Sequence, residues 1–172
     1  MEELQYHKGD LVSYRQLGIF QVKEIQKETV GRERKQYYVL ESVEAEKTTV
    51  KLPVDSPAVQ TNMQPLLSRE EIDTIIKKSE RKEEVWISDY KKRSQRFDEI
   101  LKTGRKRDLL RMMKLLALER QRCIREGKKF GSTDQFMLER AENMIVKEFS
   151  YVLQIDKDKV IPYIIKVASE AE

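Results

Sequence analysis

The residue types that carry out chemistry are scarce in this 172-residue chain. One cysteine, Cys123, and one histidine, His7, leave no internal disulfide and no ordinary Cys/His zinc site. The sequence has no Gly-rich phosphate loop, no HExxH and no Gly-x-Ser-x-Gly motif. Acid pairs such as Glu70-Glu71 fall at predicted helix starts, where carboxylates favour the helix dipole. We therefore predict a protein that is not an enzyme and that needs no cofactor or metal.

The strongest chemical signal is a run of cations that follows the single tryptophan, Trp86. Residues 87–129 contain fifteen Lys and Arg against six Asp and Glu, a net charge of +9. The whole chain carries only +4, so the remainder sums to −5. Such an asymmetry predicts a basic face that meets a polyanion. The alternative to a polyanion-binding face is an ordinary solvated helix face with i,i+4 ion pairs, but the acids needed to balance the cations are missing from this segment.

The bulk composition places limits on the fold and the compartment. A hydrophobic content of 39% supports a core, and 37% of the residues are charged. The N-terminal residues have no basic and apolar signal region, and no apolar run is long enough to cross a bilayer. We expect a soluble, cytoplasmic protein that does not bind membranes.

The first third of the chain has the period-two alternation of short strands. The predicted strands are residues 11–14, 19–25, 36–41 and 48–52, with residues 26–35 as a polar hairpin connection. Pro53 ends the last strand because proline cannot donate to a ladder. Strands this short and few cannot form a sandwich, but they can form a small SH3- or Tudor-like barrel. Such a module is usually a docking surface.

The remainder of the chain predicts helices. Residues 55–67 are predicted as a connection, and Ser68 to Glu71 has the pattern of a capping box that starts the first helix. The later predicted helices are residues 85–102, 106–126, one opened by a second capping box at 132–135, and 159–168. The fold class is therefore α+β, with a β-barrel domain over residues 1–64 and an all-α domain over 68–172.

Two features of the predicted helices matter for function. Trp86 and Tyr90 are one turn apart in the helix predicted over 85–102, so both rings should lie on nearly one face. Trp86 is either core or an exposed wedge of the kind that enters a minor groove. On the next helix the cations recur at helical spacing and predict one basic stripe: Arg107, Arg111, Lys114, Arg122 and Arg125.

A series of short motifs follows one another along the chain: Lys8-Gly9-Asp10, Val12, Tyr14, Gly18, residues 22–25, 37–40 and 49–54, Trp86, residues 100–104, Arg140-Ala141 and Glu148-Phe149. In the order of these motifs the sequence resembles the CarD family of bacterial RNA-polymerase-binding transcription regulators. The N-terminal part is also similar to the polymerase-interacting domain of the transcription-repair coupling factor. The chain has no helicase motifs, which favours the CarD-like resemblance.

This resemblance implies a Tudor-like domain that binds the RNA polymerase β subunit, with Lys51 matching a basic strand residue that the family uses there. It implies a helical domain that contacts promoter double-stranded DNA, largely without sequence preference, at the upstream edge of the bubble. A tryptophan wedge there would hold the open complex. The protein would be a bacterial, nucleoid-associated monomer. The DNA-contact residues expected from the basic run and the resemblance together are Trp86, Tyr90, Lys91, Lys92, Arg93, Arg105, Arg107, Arg111 and Arg140.

The wedge is the one ambiguous position in this resemblance. In much of the family the wedge tryptophan stands fourteen residues before the helix-ending glycine, a position that Tyr90 occupies here relative to Gly104. Trp86 lies eighteen residues before Gly104. Trp86 is the first choice because its ring is larger and lies nearer the predicted helix start.

Two other functions remain open at this point. The chain could be an RNA- or ribosome-binding protein, since small barrels with basic helical partners occur in that class. It could also be an interaction module whose basic face only confers solubility. The order of barrel and basic helices favours the transcription regulator.

Overall fold

The computed structural model describes residues 4–14, 17–80 and 85–171. The first three residues of the N-terminal segment discussed above lie outside these ranges. The strands are β1 (Leu11–Tyr14), β2 (Gly18–Val30), β3 (Glu33–Ser42), β4 (Thr49–Pro53) and β5 (Met63–Pro65). The helices are α1 (Pro57–Asn62), α2 (Arg69–Glu80), α3 (Tyr90–Thr103), α4 (Lys106–Arg125), α5 (Ser132–Leu153) and α6 (Lys157–Ser169). The predicted α+β class is confirmed.

The chain divides into two compact units, Met1–Leu66 and Leu67–Glu172. The first unit is an antiparallel sheet of five strands in the order β4-β3-β2-β1-β5. Burial alternates clearly along β3, where Tyr38, Leu40 and Ser42 are buried. Strand side chains together with Tyr6 and Val59 form one apolar cluster: Tyr6, Val12, Tyr14, Phe20, Val22, Tyr38, Leu40, Val59 and Met63.

The hairpin between β2 and β3 corrects the prediction of a connection over residues 26–35. The ladder continues to the pair Val30↔Glu33, so only Gly31 and Arg32 form the turn. Gly31 has φ 66°, the left-handed conformation that favours glycine in such turns. Residues 27–34 are exposed, so this ribbon has no apolar face that a sequence pattern can reveal.

The predicted connection over 55–67 contains two elements that the sequence pattern missed. Helix α1 begins after Ser56, whose hydroxyl accepts from the Ala58 N–H at 3.2 Å, and strand β5 pairs with β1. Val59 and Met63 from this segment are buried in the sheet core. Six-residue and three-residue elements are too short to give a periodic signal.

The second unit is a helical bundle whose start follows the predicted capping box. The Glu71 N–H donates to the Ser68 hydroxyl at 3.2 Å, and the Ser68 N–H donates to the Glu71 carboxylate at 2.7 Å. The apolar faces of α2 to α6 form one core, with these side chains nearly inaccessible to solvent: Ile72, Ile76, Leu101, Leu109, Met112, Leu116, Leu138, Ala141, Ile145, Phe149 and Val160.

Three helix starts differ from the predictions. Helix α3 begins at Tyr90 rather than 85, because the Asp89 carboxylate caps it by accepting from the Lys92 N–H at 2.9 Å. Helix α5 has Gly131 as its N-cap with no side-chain cap, so the second capping box is wrong. Helix α6 begins at Lys157, two residues before the predicted start. In the described part of the chain, no helix combines the length and the apolar character needed to cross a membrane.

Candidate nucleic-acid interface

The first turn of α3 presents a ring and two cations to solvent. Tyr90 opens the helix and its side chain is 54% exposed. Lys91 and Lys92 follow it, and both are exposed. Neither lysine side chain forms an ion pair with any other residue that the structure describes. Cations at a helix N-terminus oppose the helix dipole; the first turn itself holds no acid, although the Asp89 carboxylate caps the helix just before it.

The structure corrects the prediction that Arg93, the next residue, contacts DNA, because its guanidinium points into the helical unit. The residue is 7% exposed, and Nε and Nη2 donate to the two carboxylate oxygens of Asp134 on α5 at 3.0 and 2.9 Å. This is the bidentate geometry that a guanidinium and a carboxylate form best. Nη1 donates to the backbone carbonyls of Ile87 and Ser88 at 2.8 and 3.3 Å. Arg93 therefore ties the segment before α3 to α5.

Only one of the two candidate wedge rings, Tyr90, belongs to a helix. Trp86 lies in the non-helical segment 85–89, so the prediction that both rings share one helix face is wrong. Cζ of Arg93 lies 4.4 Å from the Trp86 ring centroid and 5.8 Å from that of Tyr90. Trp86 is half-buried and packs against the helical core. The Tyr90 hydroxyl lies 3.1 Å from the Thr133 hydroxyl of α5.

The turn between α3 and α4 presents a second pair of cations. Gly104 ends α3 with φ 63°, as predicted for the residue that follows the helix. Arg105 and Arg107 follow it and are exposed, and neither side chain has an ion-pair partner within the described ranges. Lys106 between them turns inward and pairs with Glu148 of α5 at 2.6 Å. Arg105 and Arg107 are therefore exposed to solvent, whereas Lys106 between them is buried.

The residues of the predicted basic stripe along α4 do not form one exposed basic surface. Arg111 is 8% exposed and lies beside the core residues Met112 and Met113, which corrects its assignment as a DNA contact. The core face of α4 is wide enough to include position 111, and the stem of an arginine can pack there.

Two of the distal cations of α4 are paired with acids. Lys114 pairs with Glu80 of α2. Arg122 donates to Glu119 of its own helix at 2.6 Å and to Glu126, the residue after the helix, at 3.2 Å. The hydrogen bond from Arg122 holds the pKa of Glu119 below its ordinary value. Arg125, the last residue of the stripe, is exposed, so the pairing covers only part of this half.

Arg140 is the predicted contact on the penultimate helix. It is half-buried on α5, and its Cζ lies 5.6 Å from the ring centroid of Phe136. Phe136 itself is 55% exposed. Sequence reasoning missed Phe136 because helical periodicity singles out the buried face of a helix, and it missed Asp134 because that residue was assigned to a cap.

Lys51, the predicted polymerase contact, lies on β4 at one edge of the sheet. Its ammonium group pairs with Glu28 of the exposed hairpin and lies 4.9 Å from the ring centroid of Tyr37. An edge strand presents backbone groups that another strand can use. The structure thus places Lys51 beside an available pairing edge.

The chain thus combines a five-stranded sheet unit with a helical unit that has an exposed basic turn. The family model for the CarD-like/TRCF RID domain matches residues 6–67. The match supports a CarD-like/TRCF RID assignment for this part of the chain, and the fold of that domain is Tudor-like. The family is a non-catalytic interaction family, and the match suggests an RNA polymerase-interacting, transcription-related protein. A search of curated proteins finds no match to the chain.

Proposed function

We propose that this protein is a transcription regulator that bridges RNA polymerase and promoter DNA and stabilises the open complex. The N-terminal domain binds the polymerase β subunit, and the helical unit contacts double-stranded DNA at the upstream edge of the bubble. The observation that carries the proposal is the occurrence of both parts in one chain. A polymerase-interacting domain over residues 6–67 precedes a helical unit with exposed cations beside an exposed ring.

The phosphate contacts in this proposal are Lys91, Lys92, Arg105, Arg107 and Arg140. Arg93 and Arg111 leave the set because both residues are buried. Lys91 and Lys92 stand where helix electrostatics disfavour cations, by about 0.3–1 kcal/mol for each exposed charge. Residues whose charge is unfavourable in their own helix, and which no contact within the protein compensates, are typical of functional positions. A polyanion bound beside Lys91 and Lys92 compensates this unfavourable charge.

Tyr90 takes the role of the wedge in this proposal. Its ring is the more exposed of the two candidates, stands in the first turn of α3 and has its hydroxyl near that of Thr133. The Trp86 ring lies against the Arg93 guanidinium and packs on the helical core, so much of its surface is covered by the protein itself. We assign Trp86 the task of supporting Arg93 and the segment before α3.

Open-complex lifetime at a promoter tests this division of roles. Tyr90→Ala should leave the melting temperature almost unchanged and bind polymerase normally, yet fail to lengthen the lifetime of the open complex. Trp86→Ala should lower the melting temperature, by part of the roughly 3–5 kcal/mol that truncation of a fully buried Trp costs. If Trp86→Ala abolishes the lifetime effect at unchanged stability while Tyr90→Ala retains it, Trp86 is the wedge.

The polymerase contact is tested separately at Lys51. An acidic group of the β subunit would replace Glu28 as its partner, so Lys51→Glu should weaken capture of the β subunit well beyond a neutral surface change. Lys47→Glu, at another exposed lysine that pairs with Glu41, is the matched control. Equal capture by wild type and Lys51→Glu would remove Lys51 from the interface. Co-purification with ribosomes instead of polymerase would favour the RNA-binding alternative.

A further inference from the structure

Helix α5 carries a row of exposed and half-buried residues that lie outside the apolar core, and the proposed duplex contact uses only Arg140 among them. The members of the row, at positions i, i+4, i+7, i+11 and i+15, are Phe136, Arg140, Asn143, Lys147 and Tyr151. At 100° per residue they fall within an arc of about 80°, so they share one face of the helix. The buried residues Leu138, Ala141 and Ile145 lie on a different face. We call this row the α5 stripe.

The α5 stripe combines exposed rings with cations and contains no acid. Phe136 is 55% exposed and Tyr151 is 38% exposed, at the two ends of the row. Arg140 and Lys147, which are both half-buried, lie between them, and the Arg140 guanidinium is held beside the Phe136 ring. A single exposed apolar residue needs no explanation. Rings and cations along one line are the arrangement by which proteins track single strands, since bases stack on rings and phosphates meet cations.

We propose that the α5 stripe binds single-stranded DNA, the form that strand separation at a promoter exposes. This inference rests on the proposed function, and it adds a second DNA surface to the cations at the start of α3 and at the α3–α4 turn. Bases stack on the rings of Phe136 and Tyr151, while Arg140 and Lys147 contact the intervening phosphates.

The geometry of the α5 stripe disfavours two other ligands, duplex DNA and a partner helix in a coiled coil. Fifteen residues of helix separate the two rings by about 22 Å along the axis. In a duplex both rings could contact base faces only if the DNA were kinked at two separate steps, and each kink costs several kcal/mol. The first three steps of the row, 4-3-4, also match a coiled-coil seam, but a seam needs apolar residues, whereas this row has Arg140, Asn143 and Lys147 at its centre.

The test measures the affinity of the full-length protein for a fluorescent thymidine oligonucleotide and for a duplex of the same length. Phe136→Ala and Tyr151→Ala should each weaken single-strand binding by about fivefold or more, the effect of removing one base–ring stack. Phe136→Trp should retain binding because it keeps a flat ring, whereas Phe136→Leu should not. Ile165→Ala, at another exposed apolar residue, is the control and should change nothing. Melting temperatures should be unchanged because all of these side chains are exposed.

Each outcome decides the inference separately from the proposed function. Single-strand affinity that survives the double substitution of Phe136 and Tyr151 overturns the α5 stripe, whatever the duplex result. An equal loss of duplex affinity overturns its single-strand character. Tighter binding of a uridine oligonucleotide, or a dimer that Phe136→Ala dissociates, also overturns it. If the duplex is not bound at all but ring-dependent single-strand binding remains, the inference stands and the proposed duplex contact fails.

Discussion

Two groups of cations in the helical unit have similar sequences and different environments. The open cations, Lys91, Lys92, Arg105 and Arg107, are exposed and have no ion-pair partner among the residues that the structure describes. The paired cations are Arg93, Lys106, Lys114 and Arg122. Their acidic partners lie on other helices for the first three and on the same helix for the last. The net charge of the segment therefore overstates the charge that a ligand meets.

The difference shows that charge in a sequence and charge at a surface are separate quantities. Arg93 lies next to Lys92 in the chain, yet the helix turns it by about 100° toward Asp134. Its partner is forty-one residues away, so no local count of acids can reveal the pairing. A residue's availability to DNA depends on what the tertiary structure places beside it.

The largest expected difference between the two groups of cations comes from disrupting the buried pair of Arg93 and Asp134. Asp134→Ala leaves the Arg93 guanidinium buried without its carboxylate, and breaking a buried pair on one side costs about 3–5 kcal/mol. The free energy of unfolding from denaturant titration should fall by that amount. Arg122→Gln, which removes an exposed pair, should change it little.

Replacement of both members of the buried pair provides the internal check. Arg93→Met with Asp134→Leu removes the buried charge altogether and should be less destabilised than Asp134→Ala alone. If Asp134→Ala is as stable as wild type, Arg93 has an equivalent alternative partner, and the distinction between the two groups of cations breaks down.

The second effect is on DNA affinity and its dependence on salt. Lys92→Gln combined with Arg107→Gln should reduce the slope of log affinity against log salt by about 0.9 for each phosphate that the variant no longer neutralises. Arg122→Gln with Lys114→Gln removes the same formal charge from paired positions and should leave the slope nearly unchanged. Identical slopes for the two double variants would mean that pairing does not determine which cations meet DNA.

The smallest effect is expected from acid titration of the Arg122 pair. The hydrogen bond from Arg122 lowers the pKa of Glu119 in the folded protein, so this carboxylate stabilises the fold above its ordinary pKa. That contribution is lost as the pH falls through the lowered pKa. Glu119→Gln should therefore slightly reduce the decline of stability below about pH 4, relative to wild type. The measurement is unfolding free energy against pH, and a steeper acid decline in the variant would contradict it.

The sequence alone determined the features that depend on neighbouring residues. The capping box of Ser68 and Glu71 and the helix end at Gly104 are local geometry, and both are confirmed. The buried positions Leu109, Met112 and Leu116 follow from helical periodicity, because one face of a helix is enough to specify them. The sheet domain and its family were also recognisable, since alternation and motif order run along the chain.

Tertiary structure decided what depends on distant partners. The β2–β3 ribbon is exposed over residues 27–34, so only its cross-strand pairing makes that part a strand. The start of α3 at Tyr90 and the half-burial of Trp86 depend on Asp89 and on Arg93, whose orientation is set by Asp134 of another helix. Side-chain pairing across long chain separations leaves no periodic signal, so the sequence could supply the cations but not the surface that they form.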